Sequence, residues 1–306
     1  MTSRRFFTLD VFTQTVLAGN PLAVVLDAEG LNDHAMQAIA REFNLSETVF
    51  VCPPVDPKSR ASLRIFTPGR ELPFAGHPTV GTAVLLAIRD HGSQHGHVSH
   101  GHVAFDLEEK VGLVPCSVEV LSGAKGRAVF SLPKLPMPVR DAAHDLALAQ
   151  ALSLKPGDIG FGRHRPTVYS AGVDFTFIPV SGRDALAAIR PDLNHWQAVS
   201  SGERANVYAY TNEVAETGSH YRARMFAPGM GLGEDPATGG AAAAFTGVVM
   251  EFDPPTDGQH KLTIEQGYEM GRPSQIDLHL TVADGKLVAA AIGGTAVIVS
   301  EGQLHL

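Results

Sequence analysis

Three titratable side chains stand where an acid or base would be useful. Glu47 lies in Asn44-Leu45-Ser46-Glu47-Thr48-Val49-Phe50, between a predicted helix that ends near Asn44 and a strand that starts at Thr48. A carboxylate on so tight a connection, at the head of a buried strand, can be partly desolvated. Desolvation raises a carboxylate's pKa toward the range useful for proton transfer. The same pattern also fits a surface turn carboxylate. His77 and Asp235 each immediately precede a proline that opens a predicted helix. Histidine changes charge near neutral pH, and an aspartate can orient it or hold a substrate amine. Helix capping is the other role open to both. Asn20, in Gly19-Asn20-Pro21, is first a turn signal and becomes a ligand candidate if a site lies beside it.

The elements that must position these groups are short strands cut by Gly and Pro, with β-branched alternation that suits half-buried sheets. Helices are predicted over Asn32–Arg41, Asp141–Leu152 and Arg183–Ile189, and two more over Pro78–Asp90 and Pro236–Phe252. The last two differ from the rest. Val84-Leu85-Leu86-Ala87-Ile88 and Ala241-Ala242-Ala243-Ala244-Phe245 are apolar on nearly every face, as in a helix buried on all sides.

The same words introduce both buried helices. Arg64-Ile65-Phe66-Thr67-Pro68-Gly69 precedes Pro78-Thr79-Val80-Gly81-Thr82-Ala83, and Arg224-Met225-Phe226-Ala227-Pro228-Gly229 precedes Pro236-Ala237-Thr238-Gly239-Gly240-Ala241. Repetition half a chain apart predicts a duplicated domain. The fold class expected is α/β (α+β): two similar sheet-rich domains, each curled round its own central helix. The first would span 1–124, with a final strand near 294–306 returning to it, and the second 125–293. Proline suits a first helical turn, where its missing N–H has no partner to lose. Glycine at the fourth position lets a ligand or a strand approach closely. Free N–H groups at the positive end of each helix dipole make an anion site, and a carboxylate is its natural guest. If the two domains face each other, His77 and Asp235 approach across the cleft.

Composition excludes several classes. The chain has 306 residues, 44% hydrophobic and 18% charged, with a formal net charge of −8. That composition is globular, and the length is enough for two domains at about 150 residues each. A negative surface argues against nucleic acid and anionic membrane as partners. No apolar run is long enough to span a bilayer, and the N-terminal residues read as a strand rather than a signal peptide. Cys52 and Cys116 have no metal or redox spacing and predict a reducing, cytoplasmic setting. No glycine-rich nucleotide loop follows a strand. The His-rich stretch His91–His102 could bind a transition metal but has the look of an exposed loop.

Five segments, in order and spanning nearly the whole chain, resemble the PhzF-like phenazine-biosynthesis isomerase family, whose fold is shared with diaminopimelate epimerase. They are Gly19-Asn20-Pro21-Leu22-Ala23-Val24, Asn44-Leu45-Ser46-Glu47-Thr48, Glu71-Leu72-Pro73-Phe74-Ala75-Gly76-His77-Pro78-Thr79, Gly233-Glu234-Asp235-Pro236-Ala237-Thr238-Gly239 and Glu265-Gln266-Gly267-Tyr268-Glu269-Met270-Gly271-Arg272-Pro273-Ser274. The resemblance implies a site between two barrel-like halves, a homodimer, no cofactor and a small-molecule carboxylate substrate. It implies that Glu47 is the general acid/base and that His77 and Asp235 assist by holding the substrate's amine and tuning protonation. Asn20, Gly76, Thr79, Gly239 and Gly240 would bind substrate, the glycines through backbone N–H. Gly239-Gly240 departs from the Gly-Ser usual in the family, which bears on substrate identity more than on reaction type. The helix starts carry no cysteine, so the two-thiol racemisation of the related epimerases is not expected. An epimerase, racemase or lyase on another small acid, and a non-catalytic small-molecule binder, stay open as alternatives.

Overall fold

The β-branched runs form strands and the two apolar runs form central helices in the computed structural model, which describes residues 3–92, 101–199, 206–228 and 232–306. The chain divides into two units, Met1–Pro133 with Gly293–Leu306, and Lys134–Ile292.

The first unit contains β1 (Ser3–Val11), β2 (Asn20–Val25), β3 (Glu47–Cys52), β4 (Ala61–Phe66), β5 (Glu71–Leu72), β6 (Gly101–Glu109), β7 (Gly112–Ser122) and β8 (Lys125–Ser131). Its helices are α1 (Asp33–Phe43) and α2 (Gly76–Gly92). β2 runs parallel to β3, β4 runs parallel to β6, and the other neighbours are antiparallel. α2 packs on β1, β2, β3, β7 and β8. Val80, Ala83, Val84, Leu85 and Ala87 are fully buried, as an apolar run on every face requires. A Cβ at Gly81 would lie 2.6 Å from Leu22 Cδ2 and 2.8 Å from Val11 Cγ2, so glycine there lets α2 settle onto β1 and β2. The division falls after Pro133 rather than after 124, because β8 pairs along its length with β7.

The second unit contains β9 (Met137–Arg140), β10 (Thr167–Ser170), β11 (Asp174–Pro179), β12 (Val207–Thr211), β13 (Tyr221–Ala227), β14 (Leu232–Asp235), β15 (Gly258–Gln266) and β16 (Ser274–Ala283). Its helices are α3 (Asp145–Leu152), α4 (Arg183–Ala188) and α5 (Gly239–Phe252). α5 packs on β9, β10, β11 and β16, and its Phe245 sits among the rings of Phe177, Tyr208, Tyr210 and Tyr221. The last strand, β17 (Lys286–His305), ends antiparallel to β1 in the first unit.

The repeat is physical as well as verbal. Arg64 on β4 makes a two-pronged bond to Glu71, both contacts 2.7 Å, and its guanidinium lies 5.2 Å from the Phe66 ring centre. Arg224 on β13 does the same with Glu234, at 2.8 Å twice, and lies 4.8 Å from the Phe226 ring centre. A planar guanidinium can grip a carboxylate and lie over an aromatic face at once, which lysine cannot. The strand after each helix returns parallel to the arginine strand, β6 to β4 and β15 to β13.

Helix starts differ from the sequence expectation. α2 begins at Gly76, two residues before Pro78, and α5 at Gly239, three residues after Pro236. Pro78 still falls among the first N–H positions, which have no intrahelical partner. Each helix begins five residues after the glutamate that clamps its arginine, Glu71 or Glu234. The structural register therefore follows the clamp, and His77 on α2 corresponds to Gly240 on α5 rather than to Asp235.

Among the described residues no helix is long and apolar enough to cross a membrane. Of His91–His102, residues 93–100 lie outside the described residues. Among the described ones, no group of three or more His, Cys, Asp or Glu is placed to hold a metal.

Candidate active site

Three element starts converge in the first unit. α1 ends in a left-handed Asn44 (φ 51°) whose N–H donates to the Ala40 carbonyl, a short helix exit that delivers the chain to β3 at Glu47. β2 begins beside it, with Leu22 opposite Glu47 in the parallel register. Gly19, at φ +65°, makes the turn into β2, and a Cβ there would lie 2.3 Å from the Val11 carbonyl oxygen. The third start is α2, whose second residue is His77. His77 Nε2 lies 3.4 Å from Glu47 Oε2, with the side chains 5% and 13% exposed. The other ring nitrogen donates to the Pro21 carbonyl oxygen. Burial pushes the imidazole down to about 3, only partly offset by that bond, so the ring is neutral at pH 7. With Nδ1 as the donor, Nε2 presents a lone pair to Glu47. Asn20, the first residue of β2, is fully buried next to Pro21. Gly76 opens α2, which has no acidic residue in its first turn.

Thr79 is placed differently from the sequence expectation. It is fully buried, its N–H donates to the Ala75 carbonyl, and its hydroxyl oxygen lies 2.8 Å from Ala75 O and 2.7 Å from Glu109 Oε1. It supports the first turn of α2 from beneath and presents nothing to a ligand.

The second unit builds its helix start with an amide clamp. Gln266, the last residue of β15, donates to the Asp235 carbonyl oxygen (2.8 Å) and the Thr238 hydroxyl (3.0 Å), and accepts from the Thr238 N–H (3.1 Å) and the Tyr208 hydroxyl (3.1 Å). Thr238 donates its own hydroxyl to Asp235 Oδ2 at 2.5 Å. Gly267, at φ +78°, lets the backbone pass where a Cβ would lie 2.5 Å from the Pro236 carbonyl oxygen. The start of α5 also lacks an acidic residue in its first turn. A Cβ at Gly240 would meet only the Phe175 ring, at 3.9 Å, so the missing side chain leaves room.

Neither His77 nor Asp235 caps its helix: His77 lies inside α2, and Asp235 lies four residues before Gly239 and accepts from Thr238. Glu47, His77, Asn20 and Gly76 share the first unit; Asp235, Gly239 and Gly240 belong to the second. Neither cysteine is at a helix start. Cys52 ends β3 and Cys116 is buried in β7, and burial raises both thiols. Sequence reasoning assigned no role to Gln266 or Glu109. Gln266 stands in a quoted segment and could have been found there; Glu109 is in none of them.

Residues 9–302 match the model of the Phenazine biosynthesis-like protein family, PhzC-PhzF. An uncharacterised isomerase of Mesorhizobium japonicum is 50% identical, with both chains covered in full. A trans-2,3-dihydro-3-hydroxyanthranilate isomerase of Pseudomonas aeruginosa is 33% identical over 99% of each chain. The crystal structure of a Bacillus anthracis phenazine biosynthesis protein of the PhzF family superposes with a TM-score of 0.87 at 26% identity, covering 100% of both chains. Family model, relatives and fold agree: the chain belongs to the phenazine biosynthesis-like PhzC-PhzF family and is an isomerase.

Proposed function

We propose that this isomerase shifts a proton within a small cyclic amino or hydroxy carboxylic acid, a substrate of the kind named for the Pseudomonas aeruginosa relative, with Glu47 as its acid/base. The observation that carries the reading is the buried contact between Glu47 and a neutral His77 at the start of α2.

The substrate's carboxylate rests on backbone N–H groups at a helix start, for which Gly76 in the first unit and Gly239 and Gly240 in the second are the candidates. Both helix ends are left unneutralised by their own first turns, which favours an anionic guest. Glu47 removes a proton from carbon, and the C–H electron pair moves into the conjugated system. The same carboxyl group then returns the proton at another carbon, so the enzyme ends as it began. The shift is redox-neutral and the reading assigns no electron carrier. His77 offers Nε2 as an acceptor, so it bonds Glu47 only while Glu47 holds the proton. It thereby stabilises the protonated form midway through the transfer. Asp235 is the candidate to hold the substrate's nitrogen, and Asn20 lines the first unit's site beside Pro21. The working form is a homodimer.

The test is deuterium incorporation in D₂O, followed by NMR, for trans-2,3-dihydro-3-hydroxyanthranilate and related cyclic amino and hydroxy acids, with wild type and Glu47→Gln. Exchange at carbon with wild type and none with the variant is expected, since acid/base catalysis supplies about 10²–10⁴-fold. Product analysis separates a proton shift from an epimerisation or elimination. A compound that binds without exchanging in either protein would overturn the catalytic reading in favour of a binder.

A further inference from the structure

Glu109 takes no part in the chemistry above, yet it is 8% exposed and lies against the turn that carries Gly76 and His77. Its contact poses a problem of proton counting. The Thr79 hydroxyl has one proton and two oxygen neighbours within 2.8 Å, the Ala75 carbonyl and Glu109 Oε1. A carbonyl only accepts. Were Glu109 ionised, one of the two close contacts would have no hydrogen in it. Glu109 Oε2 is moreover buried with no hydrogen-bond partner among the described residues, a costly place for a carboxylate charge.

The second unit points the same way. β6 and β15 each run parallel to their arginine strand, and each ends in the residue that bonds a threonine near the helix start, the fourth residue of α2 (Thr79) and the residue before α5 (Thr238). In register, Ser62 opposite Glu108 matches Arg222 opposite Glu265, which places Glu109 and Gln266 at equivalent positions. Gln266 donates to Thr238, and Thr238 passes its own proton on to Asp235. An amide donor that cannot ionise occupies the place that Glu109 takes in the first unit.

We propose that Glu109 is a positioning residue: its carboxylic acid donates to Thr79, Thr79 donates to Ala75, and this relay holds the first turn of α2, and with it Gly76 and His77, in working geometry. The neighbouring groups are consistent with a neutral acid. Burial pushes Glu109 up to about 8 against the smaller effect of the Thr79 bond, and no cation is among the groups acting on it. From β7 the titratable group facing it is Cys116, whose thiol burial raises well above its ordinary value. On its own strand, Glu108 accepts from the Val55 and Asp56 N–H groups, and Asp106 acts on Cys116. Lys110 turns away to Glu71. On α2, His77 is neutral.

The relay rests on the proposed role of the α2 start, so its test has a part that needs no substrate. Infrared titration of wild type should show a buried protonated carboxyl that disappears as pH rises through about 8 and is missing in Glu109→Gln. An ionised Glu109 at pH 7 would overturn the proposal whatever the substrate proves to be. In turnover, Glu109→Leu should lose at least about tenfold in kcat, the effect of a lost donor of about 1.4 kcal/mol. Glu109→Gln should restore most of that loss and remove the alkaline fall in kcat. If Glu109→Gln is as impaired as Glu109→Leu, or keeps the wild-type alkaline limb, Glu109 does not act through a donated proton. Urea unfolding of both variants identifies a loss that comes from unfolding alone.

Discussion

The starts of α2 and α5 share a frame but not a filling. In both units an arginine clamps a glutamate five residues before the helix and lies over a phenylalanine two residues further along its own strand. In both, the last residue of the returning strand bonds a threonine, Thr79 inside the first turn of α2 and Thr238 just before α5. The second helical residue is where they part. In α2 it is His77, set against Glu47, and in α5 it is Gly240, with open space beside Phe175. Burial lowers His77 and raises Glu109 in the first unit, whereas in the second it raises the Tyr208 phenol that donates to Gln266. The α5 start is held by an amide and a hydroxyl. The scaffold contacts are the same in both units, and the second helical position is where they differ.

The largest expected effect tests that difference directly. Glu47→Gln should cost about 10²–10⁴-fold in kcat with a carboxylate ligand still bound. Asp235→Asn should mainly raise KM, by about 10–100-fold for a lost charge-assisted hydrogen bond. Steady-state kinetics beside ligand titration measures both; a kcat loss in Asp235→Asn as deep as in Glu47→Gln would place an acid/base in the second unit too.

Next in size is the amide clamp. Gln266→Leu strands the Asp235 carbonyl, the Thr238 N–H and the Tyr208 hydroxyl. Leaving such groups unpaired should destabilise the chain by about 2–4 kcal/mol in urea unfolding. A change below about 0.5 kcal/mol would mean that the clamp does not hold the α5 start.

The pH dependence of stability sharpens the contrast. Native His77 stays neutral down to about 3, whereas the unfolded chain protonates it near 6.5. The unfolded state binds more protons in that window, so stability is full above it and falls as pH drops through it. Glu109 acts oppositely: the native state keeps a proton up to about 8 that the unfolded chain loses near 4.5. Stability therefore falls as pH rises through that window. Urea midpoints between about pH 3 and 8 should lose the acid-side slope in His77→Leu and the alkaline-side slope in Glu109→Gln. Retention of both slopes in these variants would assign them elsewhere.

The smallest effect is expected at Gly240. With ordinary contact distance to Phe175, Gly240→Ser should change stability by less than about 0.5 kcal/mol and move KM more than kcat. A large fall in kcat would mean that the open space matters to the chemistry itself.

Local pattern determined much of this protein. Apolar runs on every helical face predict two central helices, and the Arg-x-Phe words predict a repeat. Glu47 at a strand head and the polar residue before Pro78 are visible because strand starts and helix starts leave local marks. Those marks come from backbone hydrogen bonding and burial, which act over a few residues. Tertiary structure decided the rest. The sequence words align Pro78 with Pro236, but the helices start in register with Glu71 and Glu234, because the arginine clamp fixes where each loop ends. Thr79 reads as a ligand residue in its motif, yet its hydroxyl points inward. Glu109 bonds Thr79 from 30 residues away, and no spacing in the chain announces it. Whether such a carboxyl holds its proton depends on what surrounds it in space, since burial and a single threonine contact set its charge.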